Sequence, residues 1–346
     1  MALDYSKICS NLLEKLPERA KEVLLRRFGL ANGKGRETLE SIGENYGITR
    51  ERVRQIEADA LSKLKPKLKE HQKIFQYFSD FLKSSGGLKK EDILLSKLGR
   101  EKFQNQVYFL LEIAEPFLRF AENKDFYPFW TIKKESIISA QKIINLILNK
   151  FEKEKKPLTL NELFKINPPA ELRLDWKKGL SGGWLSSYLE ISKKILKGPE
   201  GLFGLKDWPE INPRGVKDRA FLVFKKEKKP LHFMDVANLL NSKFRYSNIS
   251  SPALPQTVHN ELIQDPRFIL VGRGIYALSE WGYYPGQVKE VISRILEEAG
   301  KPLAKEEVLE KVFKQRLVKE NTILLNLSNK KHFLRDSQGK YIVKEA

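Results

Sequence analysis

A phrase built on glycine or proline followed by leucine recurs four times along the chain, as GGLKKEDIL, KKPLTLNELF, KKPLHFMDVA and GKPLAKEEVL. The marked leucines, Leu88, Leu158, Leu231 and Leu303, lie 70, 73 and 72 residues apart. A period this regular predicts a supersecondary unit used repeatedly, and it limits the fold more than any other feature. A helical pattern such as IINLILNKF or VKEVISRIL precedes each leucine, and a short amphipathic helix follows it. A second signature closes the units: GLFGLKDW from Gly201 and GIYALSEW from Gly274 align without a gap. GKYIVKEA at the C-terminus and DFYPFWTI near Trp130 are weaker copies. Apolar runs such as RFILVGRGIYAL read as strand, glycine-containing turn, strand. NPRGVKDRA and YPGQVKEVI share a further pattern, and in both the proline lies 17 residues before the proline of the next KPL phrase.

The repeating unit is therefore helix, short extended link, helix, third helix and β-hairpin, which is the order of a winged helix-turn-helix. Four such units are expected, over residues 71–134, 135–211, 212–283 and 284–346, with a different module over 1–70. The predicted class is mainly α with small β-hairpin wings (α+β): a helix-turn-helix followed by a tandem array of winged-helix domains.

The opening module has its own logic. Thr38 stands where it can cap the helix LESIGENY, and Gly47 can take the positive φ that ends it. Ile48 can plug the corner and Thr49 can cap a second helix. That helix carries Val53, Ile56, Ala60 and Leu64 as one apolar stripe. Arg50, Glu51, Arg54 and Gln55 fall away from the stripe, in the first two turns, where a recognition helix meets base edges. The residue types suit such work: arginine bonds guanine in two places, glutamine bonds adenine, and glutamate accepts from cytosine.

LPERAKEVLLRRFGL, followed by TLESIGENYGITRERVRQIEADALSKLK, closely resembles region 4 of the primary bacterial sigma factors. That resemblance spans about Leu12 to Leu68. It implies a helix-turn-helix that reads the minus-35 promoter element and docks on RNA polymerase. Carried over by position, it implies base-reading and backbone contacts at Arg50, Glu51, Arg52, Arg54 and Gln55. It implies phosphate contacts at Arg19, Arg27 and Thr38. The sigma segment that binds core polymerase and melts the minus-10 element would lie upstream, so a complete sigma factor is not expected. From about residue 212 the KPLHFMDVA, TVHNEL and RFILVGRGIYAL phrases resemble the HARE-type winged helix, which occurs in the delta subunit of bacterial RNA polymerase among other proteins.

The formal net charge is +19, which favours a polyanionic partner. Residues 1–70 hold 15 Lys/Arg against 11 Asp/Glu, so +15 lies beyond the opening module. Lysine clusters at Lys153–Lys156 and Lys225–Lys229 precede the KPL links; they are ordinary helix-end cations singly and a phosphate-holding field together. Arg273 and Lys340 fall on expected wing tips and are candidate wing contacts.

No enzyme pattern emerges. His71, His232, His259 and His332 lack metal-ligand spacing, GKGRET around Gly33 lacks P-loop spacing, and no cofactor or small-molecule substrate is expected. The single cysteine, Cys9, reads as an inert thiol and suits a reducing cytosol; the expected localisation is cytoplasmic and, for a DNA-binding chain, nucleoid-associated. No apolar run approaches the roughly 20 residues of a membrane span. The leading expectation is a sequence-specific transcription regulator that binds double-stranded DNA and bacterial RNA polymerase. A non-specific polymerase or nucleoid accessory, and a winged-helix protein-interaction scaffold, are the alternatives.

Overall fold

A computed structural model describes residues 4–31, 35–166, 184–242 and 252–344. The chain divides into two compact units, residues 1–206 and 207–346, both mainly helical with small antiparallel sheets.

The first unit opens with α1 (Tyr5–Leu13), α2 (Glu18–Arg27), α3 (Leu39–Tyr46) and α4 (Arg50–Leu64). A 3₁₀ stretch, Lys65–His71, leads into α5 (Gln72–Ser84). Then come β1 (Leu88–Lys90), α6 (Glu91–Gly99), α7 (Gln104–Ile113), β2 (Leu118–Phe120) and β3 (Phe129–Thr131), with strand order β1-β3-β2. The next segment has α8 (Ser136–Glu154), α9 (Leu160–Phe164), α10 (Trp184–Glu190) and the hairpin β4 (Ile195–Lys197) and β5 (Phe203–Leu205).

In the second unit, α11 (Gly215–Glu227), β6 (Leu231–His232), α12 (Phe233–Ser242), α13 (Pro255–Gln264), β7 (Phe268–Gly272) and β8 (Ile275–Leu278) give the strand order β6-β8-β7. It closes with α14 (Val288–Ala299), α15 (Lys305–Gln315), α16 (Glu320–Leu327) and the hairpin β9 (Phe333–Arg335) and β10 (Tyr341–Val343).

Each leucine of the repeated phrase does the same job. Leu88 pairs with Thr131, Leu158 with Phe203, Leu231 with Tyr276 and Leu303 with Tyr341, in every case on the second strand of the hairpin. All four are buried. The link must turn sharply out of the preceding helix, and three of the four helices end on a left-handed residue three positions earlier: Lys155 (φ 50°), Lys228 (φ 53°) and Gly300 (φ 61°). Glycine takes that conformation without strain, whereas an L-residue with a Cβ does not.

The opening module does not keep a core to itself. Leu24, Phe28, Ala60 and Leu64 belong to the same buried cluster as Phe78, Leu110, Phe109 and Trp130 from the segment that follows. Burial of such side chains stabilises by roughly 1.5–3 kcal/mol each. A separate small cluster, Val23, Ile42 and Val53, holds α3 against α2 and α4. The stripe expected on α4 is thus divided: Val53 serves the small cluster, Ala60 and Leu64 the large one, and Ile56 packs against both. Periodicity along one helix shows that a face is buried, not that two different partners bury it.

Candidate nucleic-acid interface

The caps of α3 and α4 form as the residue types require. Thr38 Oγ1 accepts from the Ser41 N–H at 3.2 Å, and Thr49 Oγ1 accepts from the Arg52 N–H at 3.2 Å. Gly47 ends α3 at φ 63°, and the Ile48 N–H donates to the Gly43 carbonyl at 3.0 Å. Gly43 is a determinant that sequence reading passed over. A Cβ there would stand 2.6 Å from the Ile48 carbonyl oxygen, so the turn closes against bare backbone. The signal available was its position, four residues before the turn glycine.

This corner presents Arg50, Glu51, Arg52, Arg54 and Gln55 to solvent on the first two turns of α4. Arg54 grips Glu51 with two hydrogen bonds of 2.9 and 2.8 Å, and Arg52 donates to Gln55 Oε1 at 3.1 Å. The bonds from Arg54 hold the Glu51 carboxylate below its ordinary pKa, and the same carboxylate raises Arg54. Both groups stay charged near neutrality. Exposed pairs at this spacing contribute little because solvent screens them, so their members are readily exchanged for other partners. The Arg50 side chain has no hydrogen-bond or ion-pair partner among the described residues.

Thr38 is exposed, and its hydroxyl, already accepting at the cap, keeps its proton for donation. Arg19 is exposed on α2, with its guanidinium 5.8 Å from the Tyr46 ring centre. Arg27 is different. It donates to Glu57 at 3.3 Å and to the Glu37 carbonyl at 3.0 Å, so its fork ties α2 to α4 and to the segment entering α3. Two of its donors face inward, which a reading of residue type alone does not reveal.

Arg273 and Lys340 lie in the second compact unit, at the turn between β7 and β8 and at the entry to β10. Arg273 is exposed, and the Lys340 backbone N–H donates to Asp336 at 2.8 Å. The third helices of the four repeat segments carry a further feature missed from sequence. α7 (QNQVYFLLEI), α10 (WLSSYLE), α13 (PQTVHNELIQ) and α16 (ENTILLNL) contain no lysine or arginine. Val107, Phe109, Leu110 and Leu111 of α7 are buried, as are Trp184, Leu185, Tyr188 and Leu189 of α10.

His232, Phe233, His259 and Tyr276 form an aromatic row, with Tyr276 Oη 3.2 Å from His259 Nδ1. Among the described residues no three His, Cys, Asp or Glu side chains are grouped to hold a metal, and no helix is long and apolar enough to cross a membrane. Gly33 lies outside the described residues. Cys9 is buried, and burial pushes its thiol up to about 12, far from the thiolate that reacts.

Residues 12–66 match the protein family described as Sigma-70, region 4. The RNA polymerase sigma factor SigA of a Bacillus species is 54% identical over 55 residues. That similarity covers 16% of this chain and 14% of the relative. The helix-turn-helix of the first unit is thus of sigma region 4 type, a DNA-binding element tied to transcription.

Proposed function

We propose that this chain is a bacterial transcription regulator whose α3–α4 corner reads a promoter-type duplex of the minus-35 kind and docks on RNA polymerase. The observation that carries the reading is the exposed set Arg50, Glu51, Arg52, Arg54 and Gln55 on a helix whose start is fixed by the Thr49 cap. The set combines three donor-only guanidiniums, an acceptor carboxylate and an amide that both donates and accepts, which is what discrimination between base pairs needs. Thr38 and Arg19 supply backbone contacts beside them, and Arg27 acts mainly as an internal brace.

The four repeat segments are winged-helix units, the last two of HARE type. Their helix–link–helix–helix–hairpin order and the pairing of each marked leucine with the second hairpin strand support this. Third helices without a cation argue against groove reading by these units. Their part is to carry the reading head and offer protein surface, with lysines and the Arg273 and Lys340 tips adding contacts to the phosphate backbone. This favours the scaffold reading for the array alone.

The test is binding to a minus-35-like duplex and to a shuffled one. Arg50→Ala or Gln55→Ala each lowers preference at one base pair by about 1–3 kcal/mol. Wild-type preference in both variants would remove the base-reading assignment. Copurification with core polymerase, lost on substitution within α3 and α4, tests docking separately.

A further inference from the structure

The connection between α2 and α3 sets where Thr38, and with it the whole corner, stands. Its two ends meet at Gly29, whose φ is +62° and where a Cβ would lie 3.1 Å from the Arg36 nitrogen. From the side of α2 the connection is held by Arg27, by the Arg26–Glu37 ion pair, and by the Glu37 N–H donating to the Arg26 carbonyl at 3.0 Å. From the other side it is held by α7, the third helix of the first repeat segment. Asn105 Oδ1 accepts from Arg36 Nε at 2.9 Å, and Asn105 Nδ2 donates to the Gly29 carbonyl at 2.9 Å. One amide therefore pins both ends of the connection. The Arg36 guanidinium lies 3.7 Å from the centre of the Tyr108 ring, and Phe109 meets Phe28 edge-on at 5.1 Å. Asn105, Tyr108 and Phe109 stand at i, i+3 and i+4, on one face of α7.

We infer that α7 is the seat of the reading head, with Asn105 and Tyr108 as positioning residues that fix Arg36 and Gly29, and so preset α3 and α4 for duplex DNA. This role rests on the reading of α4 given above. A helix that in a free winged helix would face a groove is here used to hold another module's reader. It has no cation to offer a phosphate, and Asn105 in its first turn is spent on the α2–α3 connection. The affinity of a partly preset head is reduced in proportion to the fraction of time it is competent. An unclamped connection that is competent about one tenth to one fifth of the time loses about fivefold to tenfold in affinity.

The experiment compares Asn105→Ala, Tyr108→Leu and Tyr108→Phe in the full chain, by amide hydrogen exchange and by duplex affinity at fixed salt. Asn105→Ala and Tyr108→Leu are expected to speed exchange at Glu37 and Ser41 and to weaken duplex binding about fivefold to tenfold. Exchange within α5 and α6 stays as in the wild type. Tyr108→Phe keeps the ring face for the guanidinium and restores wild-type exchange and affinity. Faster exchange spread equally through α5 and α6 would reduce the clamp to general packing and overturn the inference, as would wild-type affinity in all three variants. A wild-type chain that binds no duplex would instead overturn the reading of α4; exchange at Glu37 and Ser41 still reports whether the clamp exists.

Discussion

Gly43→Ala is the most informative single change in the corner. In an ordinary helix interior this substitution stabilises by about 1 kcal/mol. Here the added Cβ falls 2.6 Å from the Ile48 carbonyl oxygen, 3.4 Å from the Arg50 nitrogen and 3.5 Å from the Thr49 carbonyl carbon. All three are backbone atoms, so no side chain can swing aside. The turn must move, which stretches the 3.0 Å bond from Ile48 to Gly43 and displaces the Thr49 cap. Overpacking of this kind costs about 1–3 kcal/mol, and loss of a cap or bond adds about 1 kcal/mol. Against the propensity gain, the net destabilisation is about 1–3 kcal/mol. Equilibrium urea unfolding followed by circular dichroism reads it directly, with Gly35→Ala as control, because nothing lies within 4 Å of a Cβ at Gly35. Duplex affinity should fall with stability, since Arg50 begins at the displaced turn. A Gly43→Ala protein as stable as the wild type, binding DNA normally, would refute the close approach on which the corner's geometry depends.

Three other outcomes are expected. Lys228→Gly, at a left-handed helix end that Gly300 occupies in the last segment, raises stability by about 0.5–1 kcal/mol in thermal unfolding. Arg316→Ala lowers it by about 2–3 kcal/mol in urea unfolding, because its buried guanidinium donates to the Tyr284, Gly286 and Gln315 carbonyls, which it leaves unsatisfied. The Asp265 carboxylate is held below its ordinary range by hydrogen bonds from Arg267, so its contribution is present above the unfolded carboxylate pKa of about 3.9 and is lost as pH falls through the lowered folded value. The stability gap between wild type and Asp265→Asn, measured by urea unfolding from pH 7 downward, should therefore hold to about pH 4 and shrink below it.

Local chemistry was legible in the sequence where one residue type answers one backbone need. Thr38, Gly47 and Thr49 each fill the cap or turn that their position implied. The repeated leucines announced a recurring contact, and each meets the second hairpin strand. What pattern could not show is what covers a surface. Arg27 reads as a phosphate ligand until Glu57, 30 residues later, is seen to take its guanidinium. Nothing in the sequence marks Asn105, which lies against Gly29, 76 residues earlier. Such contacts depend on how helices from different segments meet, which no single helix encodes. The absence of lysine and arginine from α7, α10, α13 and α16 was readable in the sequence, but it acquired meaning only with the position of those helices ahead of each hairpin.

The central claim is that α4 reads sequence rather than simply holding charge. Its most direct test is the affinity of the full chain for a minus-35-like duplex and for a shuffled duplex across a salt series, with Gln55→Ala beside the wild type. Phosphate contacts weaken equally on both duplexes as salt rises, whereas base contacts keep their difference. The account predicts a preference that persists through the series and narrows by about 1–3 kcal/mol in Gln55→Ala. Equal affinity for the two duplexes at every salt concentration would contradict it.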